Sequence, residues 1–281
     1  MKRSFTLFSA LFIFVGFSIA QGNMNNLEQR GDGNSTNVTQ TGAQNSNLII
    51  HEGSNNDLSL SQNGNTNTID NQVSGSDNLI FIQQVGDGNQ AVSQIQANNN
   101  RVEISTEGGG NIANQDLQTD DSRALIFQEG NNNRSIQQQL GVSNQVAESI
   151  IYGSNNLSTQ AQNGENQFAR TSVIGDGNVD IITQNGISNN VSAMVEGNGN
   201  DINVLQNGSN NFAGSDTDPR LIQTGNGNSI LLVQQGDLNA SSINQEGNTN
   251  DAINAQTGNE HTNIINQVGN NNSAVVTQSN N

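Results

Sequence analysis

The chain has no cysteine and no tryptophan, only one proline, and no lysine after Lys2. Without cysteine there is neither a disulfide framework nor a thiolate metal site. Aromatic residues make up 4% of the chain, too few for a close-packed oily core, and a composition dominated by Asn, Gln, Gly and Ser taken alone points to disorder. Beyond the first twenty residues the only bases are six arginines, Arg30, Arg101, Arg123, Arg134, Arg170 and Arg220; against 25 acids they leave a net charge of −19. Such acidity argues against nucleic acid or an anionic membrane as a partner, because both need clustered Lys and Arg. Catalytic constellations are missing as well. His51 and His261 are the only histidines and the serines are scattered, so no Ser/His/Asp set can be drawn. The expectation is a protein that is not an enzyme, with no cofactor, no metal and no small-molecule substrate.

What is present is a period. The phrase Gln-x-Gly-x-x-Asn returns about every eleven residues from Gln29 onward, through 22 slots of which only Ala97 and Thr119 lack glycine. Disordered linkers need polarity but have no reason to hold Gly and Asn in register, whereas a short fixed period is the mark of a solenoid. Between each Asn and the next Gln the residues alternate: Leu58, Leu60 and Gln62 share one side against Ser59 and Ser61, and Ile202, Val204 and Gln206 share one against Asn203 and Leu205. Alternation with period two predicts strands, and the Gly and Asn at their ends predict tight turns. Helix is excluded, since glycine at this frequency costs about 1 kcal/mol each relative to alanine.

Each eleven-residue unit is then one strand and one turn, and two units close a flattened coil. The fold expected is all-β: a β-solenoid, or flattened β-helix, of about eleven 22-residue strand-turn-strand coils forming two facing parallel sheets. The slot two before glycine supports the 22-residue coil, because His51, Val73, Ile95 and Leu117 interrupt its glutamines at intervals of 22, as do Ile151, Val173 and Val195. The two runs are out of phase by half a coil. An irregularity is therefore expected between Gln139 and Ile151, where one extra residue also occurs.

Coiling stacks equivalent residues, so interior amides are expected to form ladders in which each donates to one neighbour and accepts from the next. The glutamine ladder is assigned to Gln29, Gln40, Gln62, Gln84, Gln128, Gln139, Gln162, Gln184, Gln206, Gln223, Gln234, Gln245, Gln256 and Gln267. The asparagine ladder is assigned to Asn34, Asn45, Asn56, Asn67, Asn78, Asn89, Asn100, Asn111, Asn133, Asn144, Asn156, Asn178, Asn189, Asn200, Asn211, Asn228, Asn239, Asn250 and Asn272. His51 and His261 each replace a ladder amide. Gly-Asp-Gly-Asn at 31–34, 86–89 and 175–178 has the look of a calcium loop, but such loops need an Asp in every turn; the acids are read instead as repelling neighbouring molecules. Leu48, Ile50, Phe81, Leu125, Phe127, Leu231 and Val233 fall on the outward side.

At the start, Lys2 and Arg3 precede an apolar run from Leu7 to Phe17 and a small-residue end at Ser18-Ile19-Ala20, which reads as a signal peptide over 1–20 cut between Ala20 and Gln21. A short N-terminal segment over 21–28 and a repeat solenoid over 29–281 follow, with an excursion loop near 212–220 around Pro219. Neither end shows a capping element, and a stack with two open, similar edges adds copies of itself head to tail.

The phrase also resembles a known family. Ser122-x5-Gln128-x-Gly130-x2-Asn133-x-Ser135-x3-Gln139 is similar to the curlin repeat, with Ser135 where that family favours Ala. Gln245, Gly247, Asn250, Ala252 and Gln256 match its later part, as do Gln267, Gly269, Asn272, Ala274 and Gln278, with Asn239 and His261 in place of the leading Ser. The resemblance implies a secreted structural subunit of extracellular, curli-like amyloid fibres on the cell surface, serving biofilm matrix and adhesion. It further implies itself as main partner, a surface nucleator, and export through the periplasm and a dedicated outer-membrane pore. The alternative is a monomeric solenoid binding module for glycan, ice or host protein; the Thr columns that an ice-binding face wants are not evident.

Overall fold

A computed structural model describes residues 22–214 and 221–280. The leader with its Ala20–Gln21 junction, and most of the 212–220 excursion including Pro219, lie outside the described residues.

Twenty-four strands form two parallel sheets. The first sheet stacks β1 (Met24–Arg30), β3 (Ser46–Glu52), β5 (Thr68–Ser74), β7 (Gln90–Ile95), β9 (Ile112–Asp120), β11 (Arg134–Ser143), β13 (Leu157–Glu165), β15 (Val179–Ile187), β17 (Asp201–Ser209), β20 (Ser229–Gln235), β22 (Asp251–Thr257) and β24 (Ser273–Ser279). The second stacks β2 (Ser35–Thr41), β4 (Asp57–Asn63), β6 (Leu79–Val85), β8 (Arg101–Glu107), β10 (Arg123–Glu129), β12 (Val146–Tyr152), β14 (Phe168–Ile174), β16 (Asn190–Glu196), β18 (Phe212–Ala213), β19 (Leu221–Thr224), β21 (Ala240–Glu246) and β23 (Thr262–Val268). Successive strands alternate between the sheets, so every pair of strands makes one turn of a β-solenoid. The stretch 21–28 contributes most of β1, so the first rung starts ahead of the first repeat glycine. β18 and β19 both pair with β16 and with β21, so the stack continues across the excursion as one divided rung.

In a typical rung the second, fourth and sixth residues point inward, as in β4, where Leu58, Leu60 and Gln62 are buried and Asp57, Ser59 and Asn63 exposed. This is what parallel pairing in register demands: side chains of one face stack directly on their equivalents one coil away. Val, Ile, Leu and Ala fill two apolar clusters, one from Ile49 to Ile126 and one from Ile151 to Ile265. Between them lies a polar waist containing buried Gln128, Ser135, Gln137, Gln139, Gln145 and Ser149.

The turns explain the glycines. At Gly64, with φ +132°, a Cβ would sit 2.0 Å from the carbonyl oxygen of Gly86 one coil on, so no side chain fits. Ala97 and Thr119, the two slots without glycine, are not in this positive-φ conformation. Two residues after the slot a second left-handed position recurs, filled by Asn55, Thr66, Asp77 and Asn99 as well as by glycine, consistent with the tolerance of Asn and Asp for this region.

Candidate functional site

The chemistry of this chain lies in columns that run the length of the stack. The asparagine after each turn is wired to backbone. In the coil of Asn45, its Nδ2 donates to the Gly64 carbonyl at 2.8 Å and its Oδ1 accepts the Asn67 N–H at 3.0 Å. The pattern recurs from Asn34 to Asn250, with a break at Asn100, whose Nδ2 has no partner, and some members add a direct amide contact, as in Asn78 Nδ2 to Asn56 Oδ1 at 3.0 Å. The turn carbonyls and the N–H of the residue just before each strand, which neither sheet satisfies, are thereby paired with the neighbouring coil.

Four slots differ from the sequence assignment or depart from Asn. Ser122 holds one of them, its N–H donating to Asn100 Oδ1 at 2.8 Å and its hydroxyl oxygen accepting the Gln145 N–H at 3.0 Å. Asn144 does not belong to the ladder: it takes the exposed left-handed turn position, φ 55°. Gln145 occupies the column, donating to the Gly164 carbonyl at 2.9 Å. The cause is the extra residue, absorbed by a register shift between Gly141 and Ser143 that leaves Val142 65% exposed. Gln167 likewise stands where Asn is usual, donating to Gly186 at 2.9 Å. His261 presents its N–H to Asn239 Oδ1 at 3.1 Å.

The glutamine columns link amide to amide. In the first sheet Gln139, Gln162, Gln184, Gln206, Gln234, Gln256 and Gln278 form one unbroken chain of Nε2 to Oε1 bonds, between 2.7 and 3.0 Å. In the second sheet Gln40, Gln62 and Gln84 form a shorter chain, and Gln223, Gln245 and Gln267 another. The second N–H of these amides crosses the coil to a strand-edge carbonyl of the facing sheet, as from Gln184 to Phe168 at 3.0 Å. A further column, Gln115, Gln137 and Gln160, runs through the polar waist. Gln29 is exposed and bonds the Thr36 hydroxyl instead.

Every glutamine-to-glutamine bond donates in the same direction, toward the C-terminal end of the stack. That direction accounts for a set of buried acceptors without partners. Gln115, Gln128, Gln139 and Gln223 are preceded in their columns by Ser93, Thr106, Leu117 and Val195, none of which offers an amide, and each has an Oε1 with no hydrogen bond.

The half-coil phase change is a transfer between sheets. His51, Val73, Ile95 and Leu117 stack in the first sheet opposite the glutamines of the second; after the waist, Ile151, Val173 and Val195 stack in the second opposite the glutamines of the first. The strands keep alternating throughout. The inserted residue therefore sits at the crossover but moves no strand to the other sheet. From Gln206 and Gln223 onward both columns are glutamine.

A single break in a ladder has a definite cost. Replacing Gln184 by leucine orphans an N–H of Gln162, the Oε1 of Gln206 and the Phe168 carbonyl. At ~1–3 kcal/mol for each buried group left unpaired, a loss of ~3 kcal/mol or more is expected in denaturant unfolding, although Val173 shows that an aliphatic side chain fits such a slot. A loss below ~1 kcal/mol would show that the ladder bonds contribute little.

The turn acids join a third set of contacts. Asp87, Asp120, Asp176 and Asp237 each accept the backbone N–H one coil earlier at 2.7 Å, where other turns use Asn65 or Asn226 for the same bond. Sequence reading missed this use of Asp; its interchange with Asn at the position after the slot glycine was the available signal. Among the described residues no group of three His, Cys, Asp or Glu is placed to hold a metal ion.

Two buried ionisable groups stand in the core. His51 shares a 3.0 Å hydrogen bond with Asn71, and its pKa is lowered chiefly by burial, with that bond opposing. Asp180 is fully buried and accepts a hydrogen bond from the Thr171 hydroxyl of the facing sheet. Burial raises its carboxyl to about 7, Thr171 opposing and Asp201 adding to the rise. Of the outward apolar residues read from sequence, Phe81 and Leu231 are exposed, while Leu48, Ile50, Leu125, Phe127 and Val233 are half-buried among their column neighbours.

The match to known families falls on these columns. The model of the curlin associated repeat matches residues 75–108, from the turn at Gly75 through β6, β7 and β8 to the turn at Gly108. The chain thus carries a segment similar to the curlin associated repeat. The matched segment holds Gln84, Gly86 and Asn89 in the spacing that most of the other coils reproduce. No curated protein matches the chain.

Proposed function

We propose that this chain is a secreted structural subunit that stacks coil on coil with further copies of itself into extracellular, curli-like amyloid fibres, serving biofilm matrix and cell adhesion. The observation that carries the reading is the one-way ladder. Within each run of glutamines, every rung accepts from the rung before and donates to the rung after, with the same atoms at the same spacing. A junction between two copies then needs no chemistry beyond that already joining two coils. At the described limits, Gln278 donates to Thr262 and has a further N–H directed away from Gln256, while Gln40 accepts from no earlier glutamine. These are a donor row and an acceptor row, and a second copy supplies the complement of each.

The subunit is non-catalytic in this reading. Its partners are itself, a nucleator that offers a first rung, and an outer-membrane pore of the curli type. Purified chain without the leader is expected to form thioflavin-positive fibres after a lag, and preformed fibres at a few per cent by mass to remove most of that lag. A chain that stays monomeric for days at high concentration with its strands folded would overturn the assignment.

A further inference from the structure

The two outer faces of the solenoid are unlike. All aromatic residues among those described, Phe81, Phe127, Tyr152, Phe168 and Phe212, stand on strands of the second sheet. A regularity within its rungs gives this face a use. In β8 the first and last outward residues are Arg101 and Glu107, and in β10 they are Arg123 and Glu129. The rungs on either side are apolar at both positions: Leu79 and Val85 in β6, Val146 and Tyr152 in β12. β14 continues with Phe168 and Ile174. The same two places on the first sheet do not match: Ile112 shares its rung with Gln118, Leu157 with Asn163, and Val179 with Asn185.

The two ends of a seven-residue strand are ~20 Å apart, so the members of each matched pair do not meet within one chain. They meet across a twofold axis parallel to the stack. A second copy laid face to face at the same level places the first outward residue of each rung opposite the last of its counterpart, because the facing strands run in opposite directions. Arg101 and Arg123 then face Glu107 and Glu129 of the other copy, between layers of apolar contact above and below. Within the chain, Glu107 and Glu129 have no ion-pair partner among the described residues, and the side chains of Arg101 and Arg123 are 60% and 47% exposed. At the centre Leu125 meets Phe127. Glu148 faces Ile150 there with its charge already met by Arg123 at 2.8 Å and Arg170 at 3.8 Å.

We propose that the outer face of the second sheet, from β4 to β16, is an isologous interface that joins two copies of this chain side by side, in parallel and at equal height. The limits follow from the pattern: β4 sets Asp57 against Asn63 and β16 sets Asn190 against Glu196, a carboxylate facing an amide in each, and the match fails in the next rung, where Phe212 falls against Thr224. Seven rungs at ~4.8 Å by a strand of ~20 Å bury ~1,300 Å2 over both partners, within the standard range of ~1,200–2,000 Å2 for a specific interface. The contact runs along the flank of the stack, so it goes beyond end-to-end growth and is testable in soluble chain before fibres form.

The chain has no cysteine of its own, which makes disulfide trapping clean. In the full chain carrying Leu79→Cys and Val85→Cys, oxidation is expected to give covalent dimers through residues 79 and 85 of different copies; these two positions are too far apart to join within one chain. Leu157→Cys with Asn163→Cys on the first sheet is the control, expected to stay largely monomeric. The pair Glu107→Arg and Glu129→Arg sets guanidinium against guanidinium and is expected to weaken dimerisation at least tenfold by analytical ultracentrifugation, with far-UV circular dichroism unchanged. Adding Arg101→Glu and Arg123→Glu exchanges the charges within each rung and is expected to restore the dimer to within about threefold. Trapping no better than the control, or a fourfold variant as weak as the double one, overturns the interface whether or not fibres form.

Discussion

Alanine at Gly86 is expected to destabilise the stack by ~3–5 kcal/mol, and alanine at Gly88, two residues along the same turn, by only ~1 kcal/mol. Both residues have positive φ, +105° and +69°. They differ in what lies beyond the backbone. A Cβ on Gly86 would come within 2.0 Å of the Gly108 carbonyl oxygen, a backbone atom fixed by the next coil, whereas a Cβ on Gly88 meets nothing closer than 3.9 Å. The coil carbonyl cannot retreat without breaking its bond from Asn89 Nδ2, so the strain passes into the asparagine column. At Gly88 the only penalty is the left-handed conformation, and Gly88→Asn is expected to be nearly neutral because Asn55 and Asn99 hold the equivalent place. Denaturant midpoints, with hydrogen exchange at the neighbouring amides, would measure the difference. Equal effects at the two sites would show that conformation alone, and not the approach of the next coil, sets the requirement for glycine.

The second large effect concerns pH. Asp180 is stacked between Ser158 and Ile202, with Thr171 and Gln160 forming its polar surroundings and no ion-pair partner among the described residues. Its Oδ1 has no hydrogen-bond partner. Arg170, next to Thr171, points outward to Glu148. With a folded-state value of about 7 against 3.8 for an ordinary Asp, the folded chain keeps a proton that the unfolded chain has released. The contribution to stability is thus complete below the unfolded value, falls as pH rises between the two, and is gone above about 7. Three units correspond to ~4 kcal/mol. Asp201, raised by partial burial, acts with the same sign, and His51, lowered by burial, with the opposite sign at acid pH. The difference between the natural chain and Asp180→Asn separates these terms. The variant is expected to be more stable by up to ~4 kcal/mol at pH 8 and to lose that advantage by pH 4. A difference that does not change with pH would mean that Asp180 is already ionised in the folded chain.

Much of this molecule is legible along the chain because a solenoid converts sequence period directly into spatial neighbours. Gln162 lies next to Gln184 for no reason other than that a coil has 22 residues, and the alternation in β4 and β17 sorts inside from outside without help from distant segments. Reading failed where the count changed. One inserted residue was enough to move Asn144 out of its column and bring Gln145 in, and in the sequence Asn three residues after Gly141 looks like any other. The turn aspartates have a further role that spacing alone does not show, since each lies within reach of the backbone N–H of the coil before.

The repeat, the strands, the turns and the residues that line the interior follow from the sequence by itself, since each depends on spacing and on the character of single side chains. Tertiary structure decided the rest: the direction in which the glutamine ladders donate, the transfer of the aliphatic column from one sheet to the other, and the burial of Asp180 against Thr171 of the facing sheet. Those properties belong to sets of residues 16, 22 or 23 positions apart or on opposite sheets. Only the closing of the coil fixes their mutual orientation.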